Sequence, residues 1–222
     1  LFTSRDFGDT FEATQELDRG LDLSALELMG VPRDSVYISR DDGVGGFGVI
    51  VTLAESSLDV NVLWIGTADG NLKVTRDQGK SWTEVSGNVP GLPDGTYVSR
   101  VEASAHDLGT AYASFDAHRE GDFAPYVYRT TDWGRTWTPL HQELPEGSAN
   151  VIVEHPDNPD VLFLGTDHAA WVSTDRGSHW AKLQNLLTTS HDDLVLHPRE
   201  KDLVMGTHGK GTGVGSIMGS VT

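Results

Sequence analysis

A pattern of eight residues that occurs four times constrains the fold of this chain more than any other feature. Each copy has a hydroxyl residue, an Asp two positions later, a Gly two positions after the Asp, and an aromatic residue at its end. Asp accepts hydrogen bonds from backbone amides two residues further on, Gly tolerates a positive φ, and the aromatic ring packs the outgoing strand onto a sheet. The pattern therefore predicts a tight β-hairpin. The copies are residues 4–11, 75–82, 130–137 and 173–180, with the acidic residues Asp6, Asp77, Asp132 and Asp175.

The sequence between the hairpins is also repetitive. An apolar segment that ends in Gly-Thr or an equivalent pair occurs at residues 62–67, 110–114, 161–166 and 203–207. Each is preceded by a shorter apolar run, at residues 49–53, 98–103, 151–153 and 194–196. The acidic residues of the hairpins are 71, 55 and 43 residues apart, and the shorter spacings are typical of one four-stranded antiparallel sheet per repeat. We therefore predict an all-β fold, a β-propeller built from four-stranded antiparallel blades.

The hairpins resemble the Asp-box, or BNR, repeats of β-propeller proteins. The sequence from Ile50 to Gly211 is similar to those of BNR-repeat glycosyl hydrolases and sortilin-like propellers, most clearly at residues 66–71, 97–103, 115–118 and 206–211. This resemblance implies the fold, but it says little about activity. Sialidases, xyloglucanases, sorting receptors and assembly factors all carry the repeat, so function has to be argued from the site.

The repeats predict a single domain over residues 1–222, with blades at 47–87, 97–142 and 148–187. Residues 1–19 are expected to form the outer strands of a split blade, and 190–222 the inner strands of the last blade. Residues 20–46, with a degenerate box at 39–43, are expected to be an irregular insertion. Two architectures remain open. Either the two ends complete one blade and close a ring of four to five blades, or the chain is part of a larger ring.

Composition excludes several kinds of partner. The chain has 33 acidic and 16 basic residues and a formal charge of −17, which argues against nucleic acid and anionic membranes as partners. It has no cysteine, so disulfide and thiol chemistry are excluded. It has no apolar run of about 18 residues, so we expect no membrane insertion. No signal peptide is visible at Leu1, but the resemblance to secreted bacterial proteins implies export, with an extracellular or periplasmic location.

Propeller geometry predicts where a ligand binds. The box hairpins lie on one face of a propeller, and the loops between the second and third strands of each blade lie on the other. We therefore expect the Asp boxes to be structural and the opposite face to bind ligand, with the loop from Ser114 to Pro125 as the best recognition element. The ligand-binding candidates on that face are Asp69, Asn71, Tyr97, Arg100, His118, Arg119, His168, His191, Asp192, His208 and Lys210.

Three classes of function fit this face. The first is recognition of an extracellular ligand, with carbohydrate favoured over peptide, and Trp133 and Trp171 as either stacking surfaces or core residues. The second is glycoside hydrolysis by a carboxylate pair, for which Asp116 and Asp167 are the leading candidates. The third is an accessory subunit that contacts further blades or subunits. Asp in turns often only caps backbone amides, which weakens the second class. We predict no cofactor and no metal, although Asp116, His118, Asp167, His168 and His208 are residue types that bind metals.

Overall fold

The computed structural model describes most of the chain outside one N-terminal segment and the C-terminal end. The described residues are 1–17, 27–28, 31–32, 48–197, 199–208 and 211–215, with only the backbone described at 27–28, 31–32 and 211–215. The predicted insertion at 20–46 and its degenerate box therefore lie outside the described residues, except for two short strands. Within the described ranges, no helix has the length and apolar character needed to cross a membrane.

The described residues form nineteen β-strands, and every pairing between them is antiparallel. The strands are β1 (Phe2–Thr3), β2 (Glu12–Ala13), β3 (Glu27–Leu28), β4 (Val31–Pro32), β5 (Ile50–Glu55), β6 (Leu63–Thr67), β7 (Leu72–Thr75), β8 (Thr83–Glu84), β9 (Tyr97–Ala103), β10 (Ala111–Asp116), β11 (Val127–Thr130), β12 (Thr138–Pro139), β13 (Ala149–Glu154), β14 (Leu162–Thr166), β15 (Ala170–Ser173), β16 (Ala181–Lys182), β17 (His191–Leu196), β18 (Leu203–Thr207) and β19 (Gly211–Gly215).

The predicted four-stranded blades are confirmed. Three sheets run β5 to β8, β9 to β12 and β13 to β16, with each strand beside the next in sequence. We call them blades 1, 2 and 3. Blade 4 consists of β17, β18 and β19. In each blade the predicted apolar runs supply the first two strands. The second strands β6 and β14 are buried along their whole length, because continuous apolar runs favour strands that are covered on both faces.

Blade 4 has one more strand than the sequence predicted. Its third strand, β19, pairs with β18 from Leu203 opposite Gly215 to Thr207 opposite Gly211. Strand β1 also precedes a box hairpin, as third strands do, so β19 occupies the place that the split-blade hypothesis gave to β1. In the described residues, β1 and β2 pair only with each other. Strand β19 was not predicted from the sequence, because three of its five residues are Gly, which is depleted in strands.

The hairpin formed by β1 and β2 lies against blade 1. A side chain after the fourth strand of a blade contacts the box Gly of the next blade, because a Cβ at Gly134 would lie 2.8 Å from Val85 and a Cβ at Gly177 would lie 2.8 Å from Leu140. Thr14 follows β2 and lies in the same relation to Gly79, at 3.1 Å. The hairpin therefore takes the position of the outer half of a blade that precedes blade 1.

Each Asp box is a closed hydrogen-bonded cap. In the second box, the Thr75 hydroxyl donates to Asp77 at 2.7 Å, and the Gly79 amide donates to the Thr75 hydroxyl at 2.9 Å. The Asp77 carboxylate also accepts the amide of Ser81 at 2.9 Å and its hydroxyl at 2.6 Å. The other three boxes repeat this arrangement around Asp6, Asp132 and Asp175. The backbone amide that donates to the carboxylate therefore lies four residues after the Asp. The sequence had predicted a donor amide two residues after it.

These caps predict a loss of stability in acid. Donors four residues on lower the pKa to about 2 for Asp6, Asp77 and Asp175, the largest contributions coming from the side chains of Thr10, Ser81 and His179. The pKa of Asp132 is lowered mainly by the Thr136 amide. An unfolded Asp titrates near 4, so the stabilisation is complete above about pH 4 and is lost as pH falls towards about 2.

We expect urea unfolding midpoints to fall across this interval, and Asp77→Asn to flatten the dependence. Asp9→Asn, a change outside the cap, is the control. An equal pH dependence in the wild type and Asp77→Asn would contradict the interpretation.

Among the residues that the structure describes, three apolar cores lie between successive blades. The core between blades 1 and 2 contains Trp64, fully buried, with its ring 6.2 Å from that of Trp137 in an edge-to-face arrangement. Trp137 closes the third box, so the box aromatic joins two blades. Tyr112 and Leu164 belong to the core between blades 2 and 3, and Phe163 and Met205 to the core between blades 3 and 4. This packing fixes the loops on both faces.

Candidate functional site

The box hairpins share one face with the turns between first and second strands. The amide of Gln78 donates to the Asn61 carbonyl at 3.0 Å, and the amide of Arg176 donates to the Asp160 carbonyl at 2.9 Å. The amide of Trp133 makes the equivalent bond. We call this the box face.

The opposite face carries the loops between second and third strands and the connections between blades. Hydrogen bonds join these two kinds of segment from blade to blade. Examples are Gly147 amide to Phe123 carbonyl at 2.8 Å and Asp167 amide to Ser148 carbonyl at 3.2 Å. We call this the loop face. The predicted separation of the two faces is present.

In blade 1, the loop-face candidates are buried. Asp69 is 3% exposed and accepts a hydrogen bond from the Thr67 hydroxyl. Asn71 is fully buried, and its side-chain amide donates to the Leu17 carbonyl at 3.1 Å. These side chains stabilise the β6–β7 turn and attach the N-terminal segment to it, so they do not form an accessible surface.

In blade 2, the candidates form a connected group. The Asp116 carboxylate accepts the amide of His118 at 3.0 Å and contacts its Nδ1 at 2.5 Å. The next residue, Arg119, places its guanidinium 5.3 Å from the centre of the Tyr97 ring. The Tyr97 ring and the Asp116–His118 pair therefore lie on neighbouring strands at one mouth of the structure.

The rest of this long loop is held in place by Asp122. Its carboxylate accepts the Ala124 amide at 3.0 Å and the Tyr126 hydroxyl at 2.7 Å, and both bonds lower the pKa of Asp122. Burial and the nearby Asp122 raise the pKa of Tyr126 to about 12. Between these anchors, Phe123 is 50% exposed. Phe123 was not among the residues predicted from the sequence, although an aromatic residue in a polar loop is a signal that the sequence contains.

In blades 3 and 4, a chain of hydrogen bonds crosses the loop face. The Asn150 side-chain amide donates to Asp167 at 3.2 Å and to the Ser190 hydroxyl at 3.0 Å. Ser190 in turn donates to Asp192 at 2.5 Å. Asp167 also accepts the Ser148 amide at 3.2 Å. The network links the two blades and fixes Asp167 and Asp192.

The histidine candidates differ in accessibility. His168 is exposed and lies beside Gly147, and His208 is exposed with Nδ1 3.7 Å from Asp192. His191 is only 1% exposed, and burial lowers the pKa of its imidazole. His191 therefore lies inside the protein and is not part of an accessible surface. Lys210 lies outside the described residues.

The inner strands surround a central channel. From β9 the Arg100 guanidinium reaches the Asp193 carboxylate on β17, so an ion pair crosses the channel from blade 2 to blade 4. Glu102, two residues further along β9, lines the channel cavity. Glu102 was not predicted from the sequence, because a single acidic residue in an apolar strand is also typical of an ordinary solvent-facing position.

Comparison with known proteins identifies the fold. The family model described as sortilin, neurotensin receptor 3, matches residues 125–217. The probable oligoxyloglucan-reducing end-specific xyloglucanase of Neosartorya fischeri is 33% identical over 134 residues, which are 57% of this chain and 15% of the xyloglucanase. The GH74 enzyme of Niastella koreensis superposes with a TM-score of 0.57 at 16% identity, over 72% of this chain and 26% of the enzyme. The chain folds as part of an Asp-box β-propeller.

A second solved structure supports the same conclusion. YCF48 bound to a D1 peptide superposes on the propeller with a TM-score of 0.55 at 19% identity, over 77% of this chain and 52% of that one. The propeller is thus similar in sequence to the sortilin and xyloglucanase groups and similar in fold to GH74 enzymes and YCF48. The chain spans only 15% of the curated xyloglucanase.

The remaining candidates contact other parts of the protein. Both carboxylate oxygens of Asp116 and of Asp167 already contact protein nitrogens, so these residues hold loops in place. The described residues contain no group of three or more His, Asp or Glu side chains placed to hold a metal. Trp133 lies on the box face with the Arg76 guanidinium 4.3 Å from its ring, and Trp171 packs against the core between blades 2 and 3. Neither tryptophan forms an open stacking surface on the loop face.

Proposed function

We propose that this propeller is an exported recognition module whose loop face binds an extracellular carbohydrate. The observation that supports this most is the long loop of blade 2. Phe123 is half exposed at a backbone position fixed by the Gly147 amide, and Tyr97, Arg119 and His118 lie at the base of the same loop. Aromatic faces with a few placed polar groups are suited to sugar rings, which have apolar faces and hydroxyl edges.

The geometry favours binding over hydrolysis. A glycosidase of the usual kind needs one carboxylic acid to protonate the leaving oxygen and a second carboxylate as base or nucleophile. The leading candidates, Asp116 and Asp167, both use their two oxygens to fix loops and backbone amides. These contacts support a structural role for the two residues.

The charge of the protein narrows the ligand to a neutral carbohydrate. The formal charge of −17 opposes the approach of acidic polysaccharides. The sequence similarity to a xyloglucanase makes xyloglucan oligosaccharide the first probe. A peptide is the second candidate, supported by the fold that the chain shares with peptide-bound YCF48.

Removal of the loop-face aromatics tests the proposal. We expect Phe123→Ala and Tyr97→Ala each to weaken binding of xyloglucan oligosaccharide about ten-fold, measured by calorimetry, because each removes one stacking surface. Phe7→Ala is the matched control, since Phe7 is also an exposed aromatic but lies at a box tip. Equal losses for Phe7→Ala and Phe123→Ala would exclude a loop-face site.

The same protein separates binding from hydrolysis. We expect retention of the oligosaccharide without release of new reducing ends. Release of reducing ends that disappears in Asp116→Asn or Asp167→Asn would replace the binding proposal with the hydrolase alternative. Failure to bind any neutral glycan, together with binding of peptides, would replace carbohydrate with peptide.

A further inference from the structure

The central channel contains a cavity that the loop-face proposal does not use. Its volume is about 450 Å³, and the first strands of all four blades line it. These strands start at the loop face, where Arg100 and Asp193 bridge the channel. The lining continues past this bridge to Glu55, Ala105 and Pro156, towards the box face. The cavity therefore extends along the channel from the ion pair towards the box face.

Much of the cavity wall is apolar. Leu53 on β5 is 47% exposed and Val195 on β17 is 53% exposed, and both line the cavity together with Val153 on β13. Large aliphatic side chains on three of the four inner strands, two of them exposed, form a surface suited to an aliphatic ligand.

One carboxyl group in this cavity is partly buried and has no partner. Among the described residues, the Glu102 carboxyl group accepts no hydrogen bond and forms no ion pair. Glu55 also lines the cavity without such a partner, but its side chain is exposed to solvent. The other charged neighbours of Glu102 are bound elsewhere. Arg100 is bound to Asp193, and Glu154 accepts hydrogen bonds from Ser104 and Tyr112. Burial raises the pKa of Glu102 to about 7, with Arg100 opposing the shift and Glu154 adding to it. A half-buried carboxyl of this kind gains most from a cation that enters the cavity.

We propose that the channel cavity binds an aliphatic cation, namely a lysine side chain of a peptide, with its ammonium group on Glu102 and its methylene stem against Leu53, Val153 and Val195. A lysine side chain combines an apolar stem with a charged end, which matches an apolar wall with one carboxyl group. The charged groups that line the cavity are Glu55, Glu102, Glu154 and Arg100, with Asp193 paired to Arg100. Their net negative charge disfavours an acidic side chain in the same place.

The site predicts a pH dependence. Below about pH 7 Glu102 is mostly protonated and offers no charge to an ammonium group, and above it the carboxylate is available. Affinity for the cation should therefore increase by about ten-fold between about pH 6 and about pH 8, since ammonium groups of lysine stay charged over this interval. Charged groups outside the channel act on the cation only through weaker, longer-range interactions that salt screens.

The test uses Nα-acetyl-lysine methylamide as the probe and its norleucine counterpart as the neutral control. We expect the lysine probe to shift the methyl resonances of Leu53 and Val195 saturably, and the norleucine probe to bind about ten-fold more weakly. Glu102→Gln, which keeps the shape, should lower affinity for the lysine probe about ten-fold and remove the pH dependence. Glu143→Gln, an exposed carboxyl outside the channel, should leave both unchanged.

The outcomes are distinguishable. Equal affinity of the two probes, or lysine binding that Glu102→Gln leaves unchanged, would overturn the proposal. Should Glu102→Gln fail to fold, Val195→Ser and the wild-type pH profile decide the question, because both address the same cavity without removing the carboxyl group. Loss of lysine binding with oligosaccharide binding intact would show that the two sites are separate.

Discussion

Gly165→Ala should destabilise the propeller by about 3 kcal/mol, the upper end of the usual cost of overpacking. Gly165 lies in β14, where a Cβ would be 2.6 Å from the His191 carbonyl oxygen and 2.7 Å from Val151. The first of these atoms belongs to the backbone of the inner strand of blade 4, which cannot move without disturbing the channel. Urea unfolding followed by tryptophan fluorescence measures the change.

Gly206 provides a matched control for this prediction. It has the same place in blade 4, but the nearest atom to its Cβ position is the Asp193 Cβ at 3.4 Å, an ordinary contact. Gly206→Ala should therefore change stability little, or raise it slightly because the unfolded chain loses freedom. Equal destabilisation by the two substitutions would mean that blades 3 and 4 do not pack as the structure shows.

Glu154→Ala should cost a similar amount, about 3 kcal/mol, because it leaves buried donors without an acceptor. The Glu154 carboxylate on β13 accepts hydrogen bonds from the Ser104 hydroxyl at 2.8 Å, the Ala105 amide at 2.8 Å and the Tyr112 hydroxyl at 2.9 Å. All three donors belong to blade 2, so this one side chain joins two blades. Glu154 itself is only 5% exposed.

Two further variants make this prediction specific. Glu154→Gln keeps the shape and one acceptor oxygen, so it should cost less than Glu154→Ala. Tyr112→Phe removes one donor, and in the Glu154→Ala background it should add little further loss, which a double-mutant cycle measures. Fully additive losses would show that Glu154 does not act through Tyr112.

The sequence predicts the fold because the fold is encoded locally. Each Asp box needs a hydroxyl, an Asp and a Gly within five residues and a donor two residues further on, and each cap in the structure closes within these seven residues. The apolar second strands carry a Gly for a packing reason. Gly66 and Gly165 lie where the inner strand of the next blade approaches too closely for a larger side chain. Such residue patterns can be recognised in the amino-acid sequence without the structure.

The site was harder to predict because burial depends on distant residues. Asp69 and Asn71 appear in a polar turn, yet the Leu17 carbonyl, 54 residues from Asn71, helps to bury them. His191 appears at the start of a strand, where the packing of blade 3 encloses it. Glu102 matters only because three other blades surround it, which no local pattern conveys.

Amide chemical-shift mapping during titration with xyloglucan oligosaccharide shows whether the ligand binds on the face opposite the Asp boxes. We expect shifts at Tyr97, in residues 116–126 and at Asp167 and His168, with the box amides of Gly79, Gly134 and Gly177 unchanged. Shifts concentrated at those box amides, with the blade 2 loop unaffected, would contradict this expectation.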